Sequence, residues 1–227
     1  MKKIRFSTWV YWILSFVPLL LTAACYPSLP EKVPMHYNLY GEIDRWGNRR
    51  EMWIFPAMIP ILALLFWGLL HLAQKSVGQK PAELEERRIT SKRVIAASRL
   101  ILLGIFDLLA ISILAVTLYG TNGEEMTIDF MRILAAGLSI VDILLGNLMP
   151  KVRQNTVMGI RTPWTLESEE VWYRTHRFGG IAMCIGGILG LLGAIIWKGT
   201  WAFALYLIGT LGSMFAAVVY SWRISKK

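Results

Sequence analysis

Long apolar stretches alternate along this chain with short polar segments. The stretches lie near residues 8–26, 52–72, 94–119, 130–149, 179–197 and 201–222. Each one is long enough for the ~20 residues that an α-helix needs to cross ~30 Å of hydrocarbon. Because the segments between them are short, the pattern predicts an all-α integral membrane protein, a six-helix transmembrane bundle without a separate soluble domain.

The distribution of charge orients these spans. The chain has 24 Lys and Arg against 15 Asp and Glu, a net charge of +9, although only 17% of its residues are charged and 55% are hydrophobic. The cations gather before the first span, in the second and fourth loops and after the last span, whereas the third loop carries Glu124, Glu125 and Asp129. This asymmetry predicts that both termini face the cytoplasm. We therefore expect the basic residues to contact the anionic head groups of the lipid bilayer and not nucleic acid.

The first apolar stretch also has features of an export signal, since basic residues precede it and Cys25 follows two alanines. Its apolar run is longer than the ~7–15 residues of a typical signal sequence. We expect it to remain as a membrane span.

Polar side chains within the predicted spans are Arg99 and Asp107 in the third and Asp142 and Asn147 in the fourth. An ionisable group at such depth costs ~3 kcal/mol or more. The two spans run in opposite directions, so Arg99 and Asp142 are predicted to lie at similar depth and to form an ion pair. Asp107 would then be unpaired and neutral, because burial disfavours its charged form. The alternative is a polar path of Asp107 and Asp142 through a small transporter. Arg132, near the end of its span, is expected to snorkel.

No catalytic, cofactor or metal site is predicted. His36, His71 and His176 lie in different segments, and no Ser/His/Asp order, HExxH motif or phosphate-binding glycine loop occurs. Cys25 and Cys184 are predicted near opposite membrane surfaces, beyond the ~7 Å between Cα atoms that a disulfide requires. We therefore predict that the protein is not an enzyme.

Two polar segments carry patterned residues. The first outer loop reads LPxxVPxHxNxxGxxDxW, and its prolines and glycines predict a compact irregular cap. The motif positions there are Pro34, His36, Asn38, Gly41, Asp44 and Trp46. The fourth loop contains the run GIRTPWTL within 146–179. Its candidate recognition residues are Asn155, Arg161, Thr162, Pro163, Trp164, Thr165, Trp172 and His176.

The local chemistry of the fourth loop predicts a helix. Thr165 is the predicted N-cap of a helix from 166 to about Arg177, and acidic residues follow it near the positive end of the helix dipole. Trp164 and Trp172 favour the membrane–water interface. Two interpretations stay open and are compatible: the loop folds back as an interfacial plug, or it docks a partner through Arg161.

With Gly146, Asn147, Pro150 and Lys151, the GIRTPWTL segment resembles the SdpI-like family of bacterial membrane proteins. The upstream motif resembles the uncharacterised N-terminal domain that often precedes that region. The resemblance implies a two-span region with a proline-rich outer loop at 1–75 and a four-span SdpI-like region with a cytoplasmic GIRTPWTL loop at 94–222.

This resemblance also implies a function: a multipass immunity protein of the bacterial plasma membrane that protects its cell from a secreted toxic peptide. A second implied task is to hold a small transcriptional repressor at the membrane. The transporter remains the alternative, and a membrane enzyme that uses His36 or His176 is the least favoured reading. Gly186 and Gly190 allow close helix approach, either within the chain, which we favour, or in a dimer.

The topology is tested by single-cysteine labelling in a background without Cys25 and Cys184. A cysteine at Asn122 should react with an impermeant reagent from outside, and one at Gln154 should not. Equal labelling at the two positions would contradict the six-span arrangement with cytoplasmic termini.

Overall fold

A computed structural model of the protein describes residues 2–38, 40–76, 85–119, 121–122, 125–126, 129–154 and 159–226. The six predicted spans are confirmed as helices long and apolar enough to cross a membrane: Ser7–Ser28, Arg49–Leu69, Val94–Tyr119, Phe130–Lys151, Glu169–Ile196 and Gly199–Ser225. The helix of the fifth span begins at Glu169, well before the apolar run that starts near 179.

The described elements follow one another in a simple order. The helices are α1 (Lys2–Cys25), α2 (Ile54–Ser76), α3 (Glu85–Tyr119), α4 (Phe130–Leu148), α5 (Pro163–Glu167), α6 (Glu169–Ile196) and α7 (Gly199–Ser225). The strands are β1 (Lys32–Tyr37), β2 (Ile43–Asn48), β3 (Thr121–Asn122) and β4 (Glu125–Met126). Helix α3 contacts α1, α2 and α4, and so it joins the first two spans to the last three.

The first three helices share a core around Tyr11, Ile59, Ala63 and Leu103. The Tyr11 hydroxyl is buried there and donates a 2.8 Å hydrogen bond to the backbone carbonyl of Ala63 on α2. This bond satisfies a polar group for which the hydrocarbon offers no partner.

Helices α4, α6 and α7 approach one another through glycines. A Cβ at Gly146 of α4 would lie 2.8 Å from the Gly180 carbonyl oxygen, and one at Gly186 of α6 would lie 2.5 Å from the Gly209 carbonyl oxygen of α7. Gly190 is buried against Tyr206 of α7. Gly186 and Gly190 thus pack against α7 within the chain, as we favoured, and a dimer through these two glycines stays a prediction.

The first loop is more regular than we expected, because 27–51 contains an antiparallel hairpin of β1 and β2 rather than an irregular cap. Register shifts between Pro34 and Tyr37 accommodate the proline, which cannot donate to the ladder. The hairpin packs on α4 through the Tyr37 ring, which stacks on Phe130 with centroids 4.6 Å apart. Burial raises the pKa of Tyr37 to about 12.

Arg132 clamps the end of α6 through two hydrogen bonds, and the expectation that it snorkels stays a prediction. Its Nε and Nη2 donate to the carbonyl oxygens of Ala194 and Ile195, at 2.5 and 2.9 Å. Asp129, the N-cap of α4, accepts from Arg132 N at 3.0 Å and from Gly199 N at 2.6 Å. A helix end leaves its last carbonyls without partners, and here the arginine supplies the missing donors.

Replacing Arg132 with Gln should lower the midpoint of thermal unfolding in detergent by the equivalent of ~1.5–3 kcal/mol, the range for hydrogen bonds from charged groups. The control is Arg174→Gln, which breaks an exposed 3.5 Å pair with Glu170 and should cost ~0–1 kcal/mol. Equal midpoints of thermal unfolding for the two variants would contradict a stabilising role of the Arg132 hydrogen bonds.

Candidate functional site

His176 fastens the GIRTPWTL segment to α6. Its ring is fully buried, Nδ1 lies 2.8 Å from the Trp172 carbonyl oxygen, and Nε2 lies 3.0 Å from the backbone nitrogen of Ile160. A carbonyl can only accept and a backbone N–H can only donate. The geometry therefore assigns the neutral tautomer with the proton on Nδ1. We call His176, Trp172 and Ile160 the loop lock.

Trp172 completes the loop lock from one turn earlier on α6. Its ring is 2% exposed and stacks on His176 with centroids 4.1 Å apart. Its Nε1 donates a 2.8 Å hydrogen bond to the carbonyl oxygen of Val152. Because α6 starts at Glu169, Trp172 lies on this helix and is buried within the bundle, and its position at the membrane–water interface stays a prediction. Trp164 is half-buried and donates to Ser221 Oγ of α7 at 2.8 Å.

A threonine pair shapes the start of α5. The N-cap is Thr162 and not Thr165, because Pro163 occupies the first helical position, where its missing N–H costs nothing. Thr165 is fully buried, receives the Thr162 N–H at 2.8 Å and donates to the Ile160 carbonyl at 2.9 Å. Ser168 then caps α6, with Glu169 and Glu170 in its first turn.

Two further positions fit the loop lock tightly. Gly159 has φ +107°, and a Cβ there would collide with the His176 ring. Gln154 Nε2 donates to the carbonyls of Thr165 and Leu166, at 2.9 and 2.8 Å. The predicted residue Asn155 lies outside the described residues.

Arg161 differs from its neighbours in the motif. It is exposed, and within the described residues no hydrogen bond or ion pair holds its guanidinium. Its rigid fork of donors suits a carboxylate or phosphate of another molecule. Other exposed cations at this end of the bundle are Lys151, Arg153, Arg174, Arg177, Arg223 and Lys226.

The hairpin motif divides into turn-forming and outward-facing residues. Asn38 Oδ1 accepts the N–H groups of Tyr40 and Glu42, at 2.9 and 3.0 Å, and Gly41 adopts φ +82° against Met131. Pro34 is buried. These contacts fix the turn and its packing against α4.

The outward-facing residues of this motif make few contacts with the bundle. His36 Nδ1 lies 2.6 Å from Asp44 Oδ1 across the hairpin, with both side chains exposed, and Trp46 is 49% exposed. Within the described residues no cluster of three His, Cys, Asp or Glu could hold a metal ion.

The predicted ion pair between Arg99 and Asp142 is wrong, because the two side chains have different partners in the structure. Arg99 places its guanidinium 5.1 Å from the Tyr11 ring centroid, and Asp142 bonds to the Thr210 hydroxyl. Arg99 faces α1, whereas Asp142 faces α7. Asp107 is buried with one carboxyl oxygen unpartnered, and Asn147 is exposed on α4.

Comparison with known proteins identifies two regions of the chain that match family models. Residues 151–221 match the model of the SdpI/YfhL protein family, and residues 13–59 match a domain of unknown function, DUF1648. The chain is 28% identical over 164 residues to the immunity protein SdpI of Bacillus subtilis, an alignment covering 72% of this chain and 70% of that one.

Residues 151–221 of the chain are thus a region of the SdpI/YfhL type. The chain is also 36% identical over 56 residues to an uncharacterised protein of Archaeoglobus fulgidus, covering 25% of this chain and 31% of that protein. No solved structure matches. This SdpI-like chain, with its six spans, is a multipass protein of the cytoplasmic membrane.

The SdpI/YfhL match covers α5, α6 and α7, and therefore most of the contacts of the loop lock. Sequence reasoning missed Val152, which accepts from Trp172, and also Gln154 and Ser221, which bond to the GIRTPWTL segment. Val152 and Ile160 act through backbone groups, which leave no signal in the side-chain pattern.

Replacing Gly159 with Ala should loosen the loop lock, because the methyl group meets the His176 ring and φ > 0 is strained for alanine, at a cost of ~1–3 kcal/mol. The matched control is Gly212→Ala on α7, where a Cβ meets nothing within 4 Å and helix propensity favours alanine. Limited proteolysis of the 155–167 segment in detergent should be faster for Gly159→Ala alone. Equal rates in both variants would contradict the tight fit.

Proposed function

We propose that this protein is an immunity protein that protects its cell from a secreted toxic peptide. The observation that carries the proposal is its similarity over 72% of its length to the B. subtilis immunity protein SdpI. An alignment of 164 residues is long enough to include several membrane spans, so the similarity concerns more than a single motif.

The proposal includes an orientation for the bundle. Both termini and the loop lock face the cytoplasm, and the β1–β2 hairpin faces outside, where a secreted peptide arrives. The excess of exposed Lys and Arg at the end of the bundle with the loop lock supports this orientation.

The second part of the proposal concerns signalling. The GIRTPWTL segment docks a small cytoplasmic transcriptional repressor through Arg161. Thr165 of this segment and His176 of α6 are fully buried and hold the segment in place, whereas Arg161 is exposed. Trp172 then contributes by positioning the segment, because its buried ring cannot touch a partner.

The experiment expresses the protein in a toxin-sensitive strain and measures survival and repressor capture at the membrane. Arg161→Ala should reach normal abundance and lose at least one of the two readouts. Arg161→Lys should fail in the same readout, because lysine cannot reproduce the forked donor geometry. The control is Arg177→Ala, which removes an exposed cation of the same end outside the GIRTPWTL run.

The outcomes separate the two parts of the proposal. If the wild type gives no protection, the immunity function is wrong. If Arg161→Ala protects and captures the repressor like the wild type, docking through Arg161 is wrong. If Arg177→Ala fails equally, the effect belongs to the general positive charge of this surface.

A further inference from the structure

One face of α4 carries polar side chains into the middle of the bundle. Ala135, Ser139, Asp142 and Gly146 recur at helical spacing, and all are buried. Asp142 is 5% exposed, and its carboxyl group bonds to the hydroxyl of Thr210 on α7. We call Ser139, Asp142 and Thr210 the polar seam.

The described surroundings of Asp142 offer no positive charge. From α6, Gly187 and Gly190 face this part of α4, and a glycine brings no side chain. From α7, Thr210 and the titratable but uncharged Tyr206 approach the carboxyl group. Arg99, the cation predicted to balance Asp142, is engaged with Tyr11 instead. An ionised carboxylate here would have no cation to compensate the loss of its hydration.

The hydrogen-bonding groups of the seam suit a neutral acid. A protonated carboxyl group donates one hydrogen bond and accepts others, and the Thr210 hydroxyl can take either role. The Thr210 hydroxyl bonds to Asp142, whereas the backbone carbonyl of Thr210 accepts a separate 2.7 Å bond from Ser213 Oγ. Ser139, one turn from Asp142, has a fully buried Oγ for which the described residues provide no hydrogen-bond partner.

We propose that the polar seam is a proton-binding site. Asp142 holds the proton as a neutral carboxylic acid, and its hydrogen bond with Thr210 closes α4 against α7. When the proton leaves to hydroxide in the surrounding water, the carboxylate that remains must be hydrated. The contact between α4 and α7 therefore opens, which makes the closed bundle the proton-bound state. This inference does not depend on the proposed immunity function.

Infrared spectroscopy of the full chain in lipid nanodiscs tests the site. The wild type minus Asp142→Asn difference spectrum at neutral pH should contain the C=O stretching band of a protonated carboxylic acid, which shifts in D₂O. The control is Asp107→Asn, which removes another buried acid and should leave the Asp142 band in place. A difference spectrum with only carboxylate bands would overturn the proposal.

Two further variants keep the test independent of folding. Thr210→Val retains the carboxyl group but removes its partner, so the acid band should persist and move to higher frequency. An unmoved band would show that Thr210 does not bond to the proton-bound acid. The thermal midpoint of the wild type should also fall as pH rises, because the closed state loses its proton, whereas Asp142→Asn should lose that pH dependence. An identical dependence in both proteins would overturn the link between the proton and closure.

Discussion

The close approach of α4, α6 and α7 is the constraint on which the rest of the structure depends. Their backbones meet where glycines face one another, as at Gly146 with Gly180 and Gly186 with Gly209. In a membrane the hydrophobic effect gives little reason for helices to associate, so packing and hydrogen bonds must do so. A methyl group at any of these glycines would meet backbone atoms of the neighbouring helix, and the contacts at both ends of the bundle would be displaced with it.

Both ends of this three-helix unit are closed by hydrogen bonds to backbone groups. At one end Arg132 and Asp129 join the start of α4 to the turn between α6 and α7. At the other end Trp172 and His176 join α6 to the segments that follow α4. The hairpin rests on the first end through Tyr37 and Phe130. Helix α4 therefore contacts the hairpin and contributes Ser139 and Asp142 to the polar seam. Through the segment that follows it, α4 is also connected to the loop lock.

The two sequence motifs have a common organisation in the structure. In each, buried or turn-forming residues hold a short segment in place, and a few side chains point away from the bundle. Asn38 and Gly41 form the turn beneath exposed His36 and Trp46, and Thr165 and His176 hold the segment that presents Arg161. A recognition surface on a loop needs such support, because exposed side chains on a mobile backbone lose entropy when they bind.

The sequence by itself determined the number of spans, the resemblance to the SdpI-like family and the segments that carry the candidate sites, because membrane crossing demands long apolar runs and the motifs are contiguous. Only the tertiary structure decided which side chains meet. The positions of Arg99 and Asp142 along their spans predicted similar depths, but depth leaves the rotation of each helix free, and in the structure the two side chains face different helices. The clamp at Arg132 and the hydrogen bond of Trp172 to Val152 depend on backbone groups in other segments, and no local pattern of side chains records those contacts.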